Sequence, residues 1–461
     1  LKPAGFWGHQ FTPGSGAGWN GIIGGIGLEA RDLVSIADVQ CHPDPDAGVV
    51  RIRTGIHNAL DSSVRVRMEW SVRCVQANSE MTTPESGTPD VEAGSSRMDL
   101  VAEPGDQMME TTIPLSPARL WDEFAPHLYT VEARLSSDTH EDARTAVFGL
   151  RSVKSDASGL YLNGRRLFLR GSHEGCQFPK HGHPPMDRET WETYFTAARD
   201  YGMNHIRFHS WCPPEAAFQA ADRLGLYLQV EMSGGHATEL PRILEAYGNH
   251  PSFLLMTLGN ELFNHNEGED GMDQYLPQRW GEYDPQHAIS PRNLIAMAQK
   301  HDPRHLYSCT SHPVSESPCV DDFYVSAWGS NRMPTVGIQW GGGDVQHTSR
   351  FNTHPPETMS DYGKAIEGLN RPLISHEVGQ WTVFPDLSES HRYSGVLRNH
   401  NYDLFREHLR EKGMLEQAAD FTQASGRLSV ELYKEEIESA LRTPGFGGFQ
   451  LLDLHDYPGQ G

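Results

Sequence analysis

Phe253-Leu-Leu-Met-Thr-Leu-Gly-Asn-Glu261 limits the fold of this chain more than any other stretch. Six mostly apolar residues run without alternation into Gly259-Asn260-Glu261. A short unbroken apolar run suits a strand covered on both faces, as in a parallel sheet flanked by helices. The run ends on an acid, and α/β barrels carry their chemistry at the carboxyl ends of such strands. Arg371-Pro-Leu-Ile-Ser-His-Glu377 repeats the design 116 residues later (377 − 261). One such acid reads equally well as a surface cap. Two of them point to a shared barrel mouth.

The rest of the chain supplies the other strands. After Gly149, Leu160-Tyr-Leu-Asn-Gly-Arg-Arg-Leu-Phe-Leu-Arg holds an Asn-Gly hairpin turn leading into a strand. Asp187 is placed to cap a helix with Trp191, Tyr194, Phe195 and Ala198 on one face, ended by Gly202. His205–His209, Leu226–Glu231, Phe253–Leu258, His305–Cys309, Phe323–Trp328, Pro372–Ser375 and Phe446–Asp453 follow as strands, with helical stretches between them. Eight strands alternating with helices predict a (β/α)8 TIM barrel over 151–461.

Upstream, Val49-Val-Arg-Ile-Arg-Thr-Gly-Ile-His, Val64–Val72 and Leu128–Leu135 alternate apolar and polar at strand period. Short alternating strands over 36–150 predict an immunoglobulin-like β-sandwich in a supporting role. Residues 77–107, rich in Ser, Thr, Pro, Gly and Glu, break the alternation and read as a long exposed hairpin excursion. Residues 1–35 are Gly-rich and aromatic, with strand-like alternation at Leu28-Glu-Ala-Arg and from Val34. Trp7 and Trp19 suit a β-sandwich core better than a sugar platform.

Composition excludes other partners. A net charge of −23 is the wrong sign for nucleic acid or an anionic membrane. No apolar run approaches the roughly eighteen residues of a membrane helix. Six cysteines without a Cys-x-x-Cys pair suggest neither a zinc ribbon nor a redox site. His181, His183 and Cys176 fit no standard metal spacing, so no metal or cofactor is expected. Opening on Leu1-Lys-Pro and closing on Pro458-Gly-Gln-Gly461, the chain reads as a piece of a longer protein.

Sorted by strand end, the polar residues converge. The first strand ends at His173-Glu174 and the second carries Arg207 and His209, followed by Trp211. The third ends at Glu231, the fourth at Asn260-Glu261, the sixth at Trp328. His376-Glu377 ends the seventh, with Trp381 beyond it, and Asp453 ends the eighth. A ring of carboxylates, an amide, imidazoles and aromatics is a rim for a sugar. Cleavage of a sugar bond with retention needs one carboxylate as nucleophile and a second as acid, then base. Glu377 and Glu261 fit those roles, with Glu174 and Glu231 as rival carboxylates. Asn260 could serve the sugar 2-hydroxyl, and Arg207 could orient the nucleophile.

Leu120-Trp-Asp-Glu-Phe-Ala-Pro-His-Leu-Tyr-Thr-Val resembles a signature of glycoside hydrolase family 2, the β-galactosidase and β-glucuronidase family. Phe148-Gly-Leu-Arg-Ser-Val, Leu162-Asn-Gly-Arg-Arg-Leu-Phe-Leu-Arg-Gly, Gly202-Met-Asn-His-Ile-Arg, Ala221-Asp-Arg-Leu-Gly-Leu-Tyr and His250-Pro-Ser-Phe follow in the family's order. The resemblance implies a retaining exo-glycosidase of a polysaccharide degrader, with Glu261 as acid/base and Glu377 as nucleophile. It makes 1–35 the tail of an N-terminal jelly-roll sugar-binding domain. It implies a carbohydrate partner and a periplasmic or secreted site of action, and it leaves homo-oligomerisation open. Arg207-Phe-His-Ser-Trp-Cys-Pro, Gln229-Val-Glu231 and His376-Glu377-Val-Gly-Gln-Trp381 depart from the family's usual segments, so the sugar is not transferable. A catalytically silent carbohydrate-binding relative is the alternative.

Overall fold

The computed structural model describes residues 19, 21–75, 91–233, 239–260, 291–311, 321–326, 355–379 and 381–454. Seven strands form the first body: β1 (Val34–Asp44), β2 (Val49–Asn58), β3 (Val64–Val75), β4 (Val91–Ala102), β5 (Gly105–Pro114), β6 (Leu128–Ser136) and β7 (Glu141–Phe148). They pair antiparallel in two sheets, β1-β2-β5 and β4-β3-β6-β7. The alternation of β3, inward at Val66, Met68, Trp70, Val72 and Cys74, meets Ile52, Ile56 and Val50 of the opposite sheet in one core. Trp70 donates its indole N–H to Thr54 Oγ1 across that core at 3.0 Å, so the ring's polar edge is satisfied where it is buried.

Two expectations fail here. Residues 91–107 are not an excursion: β4 runs antiparallel along β3 from Val64↔Ala102 to Cys74↔Val91, and β5 pairs with β2. Both are edge strands, and β4 leaves Val91, Met98 and Val101 exposed, which erases the apolar alternation in its sequence. Leu28-Glu-Ala-Arg is not a strand, and Leu28 is fully exposed. The jelly-roll reading of 1–35 lies largely outside the described residues.

A small antiparallel sheet of β8 (Val153–Asp156), β9 (Gly159–Leu162) and β10 (Arg165–Leu167) joins the sandwich to the second body. There β11 (Leu169–Glu174), β12 (His205–Phe208), β13 (Tyr227–Glu231), β14 (Phe253–Thr257), β15 (Leu306–Ser308), β16 (Tyr324–Ser326), β17 (Leu373–Gly379) and β18 (Gly448–Leu452) form one parallel sheet. Its order is β15-β14-β13-β12-β11-β18-β17-β16, so consecutive strands β15 and β16 flank the seam of a nearly closed TIM-like barrel. Phe253–Thr257 is buried at every position, as its unbroken apolar run requires.

Helices α1 (Arg188–Asp200), α2 (Glu215–Leu224), α3 (Glu239–Tyr247), α4 (Pro291–His301), α5 (Gly363–Ile366), α6 (His400–Glu411) and α7 (Ala418–Arg442) lie between the strands. Asp187 caps α1 by accepting the Thr190 amide at 2.8 Å, and Trp191, Phe195 and Ala198 face the core. Gly225 ends α2 in the left-handed region. None of the described helices is long and apolar enough to cross a membrane.

Candidate active site

Side chains alternate along a strand, so His205, Arg207 and, just past the strand, His209 share one face of β12, as Gln229 and Glu231 do on β13. Those faces point into the barrel and build it in layers. The lower layer is uncharged. Gln450 Nε2 donates to Gln229 Oε1 at 2.8 Å and approaches His205 Nε2 at 2.8 Å, while Gln229 Nε2 donates to Thr257 Oγ1 at 2.7 Å. His205 Nδ1 lies 3.0 Å from the Tyr227 carbonyl, which fixes that nitrogen as the donor and Nε2 as the acceptor. Burial holds the His205 ring neutral, its pKa pushed down to about 3. None of these layer residues except Arg207, His209 and Glu231 was singled out from sequence, although the i, i+2 spacing carries the signal.

The upper layer is organised by Arg207, which has no exposed surface. Its Nε donates to Glu231 Oε1 at 2.8 Å and its Nη2 lies 2.7 Å from the same oxygen, an ion pair wholly out of solvent. The second Glu231 oxygen accepts the Ser210 amide at 2.7 Å. Arg207 Nη2 also donates to Asn260 Oδ1 at 2.8 Å, and Ser311 Oγ donates to that oxygen too. With Oδ1 engaged twice, the Asn260 amide nitrogen is the group left to donate elsewhere. Arg207 Nη1 faces His173 Nε2 at 3.2 Å and His376 Nδ1 at 2.8 Å. A guanidinium only donates, so both of those ring nitrogens accept. Glu231 is thus the counter-ion of Arg207, and Ser311 is a site residue the sequence did not reveal.

Glu377 stands where β17 breaks its regular pairing. The register with β18 shifts between Ser375 and Val378, a bulge of the kind that re-aims side chains beside active sites. Glu377 itself has φ +53, a conformation costing a non-glycine residue about 1–3 kcal/mol and found where function holds it in place. Its Oε1 lies 3.1 Å from His209 Nε2. Ser210 Oγ sits 3.2 Å from His209 Nδ1, so a hydroxyl donating to Nδ1 leaves the proton on Nε2, aimed at the carboxylate. Burial, then the Arg207 charge, pushes the His209 pKa down to about 4. The contact is therefore a neutral imidazole donating to the Glu377 carboxyl.

The acids on the two neighbouring strands are shifted upward. Asp453, at the end of β18, is raised to about 8, first by burial and then by Glu377. Glu174, 1% exposed, is pushed well above the carboxylate range by burial and by Asp453, against the Cys176 amide that donates to its Oε1 at 3.0 Å. Glu174, Asp453 and Glu377 thus stand at the ends of three adjacent strands, β11, β18 and β17.

His173, His209 and Glu377 offer three ligand atoms within 4.8 Å of one another. A cation there would compete with the Arg207 guanidinium for His173 Nε2, and the burial and positive surroundings of His173 already disfavour added charge. The donor set suits a hydrogen-bonded relay better than a metal.

The remaining residues are placed as follows. Trp211 is 1% exposed, packs between Trp191, Phe208 and Phe178, and donates its indole N–H to the Glu174 carbonyl at 2.9 Å. It braces β11 from the core side. Trp381 is half-buried, its indole N–H on Glu436 of α7 at 3.3 Å. Glu261 and Trp328 lie outside the described residues.

A β-sandwich is thus followed by a TIM-like barrel that gathers acids and an arginine at its carboxyl end. Residues 34–151 match the model of the glycosyl hydrolases family 2. A putative β-glucuronidase of Formosa agariphila is 25% identical over 326 residues, 63% of this chain and 36% of that protein. A β-galactosidase of Vibrio vulnificus is 25% identical over 293 residues, 58% of this chain and 27% of that protein. The crystal structure of Parabacteroides merdae β-glucuronidase with glycerol in its active site superposes with a TM-score of 0.56 at 16% identity, over 91% of this chain and 47% of that one. The chain is thus similar to proteins of glycoside hydrolase family 2, a β-glucuronidase and a β-galactosidase among them. It spans about a third of the curated relatives it matches.

Proposed function

We propose that this chain carries the catalytic barrel of a retaining exo-glycosidase, supported by the sandwich that precedes it. The observation that carries the reading is the presentation of Glu377: a bulged strand end, φ +53, and a neutral histidine donating to its carboxylate. A nucleophile must be ionised and aimed at the anomeric carbon. A neutral donor aims the oxygen without neutralising it. Glu377 attacks the anomeric carbon and forms a glycosyl-enzyme. Glu261, next in sequence to the pinned Asn260, protonates the leaving oxygen and then activates the water that releases the sugar. The Asn260 amide nitrogen donates to the sugar 2-hydroxyl, oriented by the grip of Arg207 on its oxygen. Protonated Asp453 and Glu174 meet the sugar as hydrogen-bond donors that add no negative charge beside the nucleophile.

Glu377→Ala is expected to abolish hydrolysis of an aryl glycoside that the wild type cleaves, with added azide restoring turnover as glycosyl azide. A Glu377→Ala enzyme with undiminished hydrolysis would overturn the assignment.

A further inference from the structure

Gly379 and Trp381, two and four positions beyond Glu377, are held by one face of α7. Ser429, Tyr433 and Glu436 occupy i, i+4 and i+7 of that helix and so share a side. Ser429 Oγ donates to the Trp381 carbonyl at 3.0 Å, and the Trp381 indole N–H donates to Glu436 Oε2 at 3.3 Å. Gly379, at φ +96, stands so close to the Tyr433 ring that any Cβ would collide with it. Glu436 is 1% exposed, and its Oε1 has no hydrogen-bond partner among the described residues. Burying a carboxyl with an unmet oxygen is costly, and an apolar residue there would pack the helix without that cost. Burial drives this acid well above the carboxylate range, opposed by its hydrogen bonds with Trp381 and the Gly379 amide.

We propose that Glu436 is a positioning residue that clasps Trp381 and thereby locks the bulged segment carrying Glu377 in its left-handed conformation. This rests on the reading of Glu377 as nucleophile. A locked segment keeps the carboxylate oxygen in attacking geometry, where a displacement of about 1 Å can cost about a hundredfold in rate. One oxygen of this carboxyl accepts the indole N–H and the other has no partner among the described residues, so glutamine, which keeps an acceptor oxygen, should replace it and leucine should not.

The test compares Glu436→Gln, Glu436→Leu and, as a control on the exposed side of the same helix, Lys434→Ala. Glu436→Leu is expected to lower kcat about 30- to 100-fold with KM changed less than about threefold, and Glu436→Gln to stay within about fivefold of wild type. Hydrogen–deuterium exchange of peptides covering 373–384 and 425–442 gives a readout independent of catalysis. Faster exchange confined to 373–384 in Glu436→Leu, restored in Glu436→Gln, supports the clasp even if Glu377 proves not to be the nucleophile. Equal loss of protection in both peptides, or unchanged kcat and exchange in Glu436→Leu, overturns it. Wild-type kinetics paired with inactive Glu377→Ala separate the two claims.

Discussion

At Asp453 a single carboxyl reports on the charge of the site. Its pKa, raised to about 8 by burial and Glu377, means the folded protein holds this proton more tightly than the unfolded chain does. Between an ordinary carboxylate value near about 4 and about 8, the folded state binds the extra proton, so stability from this group falls as pH rises and levels off above 8. Asp453→Asn removes the titration. The melting temperature of Asp453→Asn relative to wild type is therefore expected to climb from pH 4 to pH 8. A constant difference across that range, followed by differential scanning fluorimetry, would show that Asp453 is not held as the acid. The strand-end residues were legible because inward-facing positions recur at i and i+2 beside apolar runs. Their partners were not: His209 and Glu377 are 168 residues apart in sequence, and only folding selects that pair among the histidines and acids available. Trp211 shows the converse, an aromatic next to the rim whose ring belongs to the core.

Among elements, the close approach of β11 and β12 fixes where His173 and Glu174 emerge. The two strands pair Gly171 with His205, and a Cβ on Gly171 would come within 2.5 Å of the His205 ring and 2.8 Å of its carbonyl. Gly171→Ala must push the strands apart or turn His205 out of its bonds to Tyr227 and Gln450. The expected cost is about 1–3 kcal/mol, read from urea denaturation, with kcat falling as β11 shifts. A fully stable and active Gly171→Ala would mean that this packing does not set the site. The element sequence reading succeeded wherever a strand was buried on both faces or alternated cleanly. It failed at β4, whose exposed edge carries no apolar period to read.

The whole molecule depends on a polar seam between sandwich and barrel. Arg304 donates to the Cys41 carbonyl at 2.9 Å and Gln40 Oε1 at 3.0 Å on the sandwich side, and to Asn249 Oδ1 at 2.8 Å and Asp302 at 2.6 Å on the barrel side. Arg151 adds bonds to the carbonyls of Pro251 and Phe253 and to that of Arg304. Arg304→Ala leaves Asp302, held far below the usual range by its histidine and arginine neighbours, as a buried charge without its guanidinium. The loss is expected to be about 3–5 kcal/mol and to split calorimetric unfolding into separate sandwich and barrel transitions. A single transition at the wild-type temperature would contradict a seam that couples the two bodies. None of this seam was legible in the sequence, because Arg151 and Arg304 look like surface charges until the two bodies meet around them.

The most direct test is to trap the glycosyl-enzyme. The enzyme is incubated with 2-deoxy-2-fluoro glycosyl fluorides of galactose and glucuronic acid, digested, and mapped by mass spectrometry. The expected result is time-dependent inactivation with one sugar bound to Glu377; a sugar bound instead to Glu174, Glu231 or Asp453, with Glu377 unmodified, would contradict it.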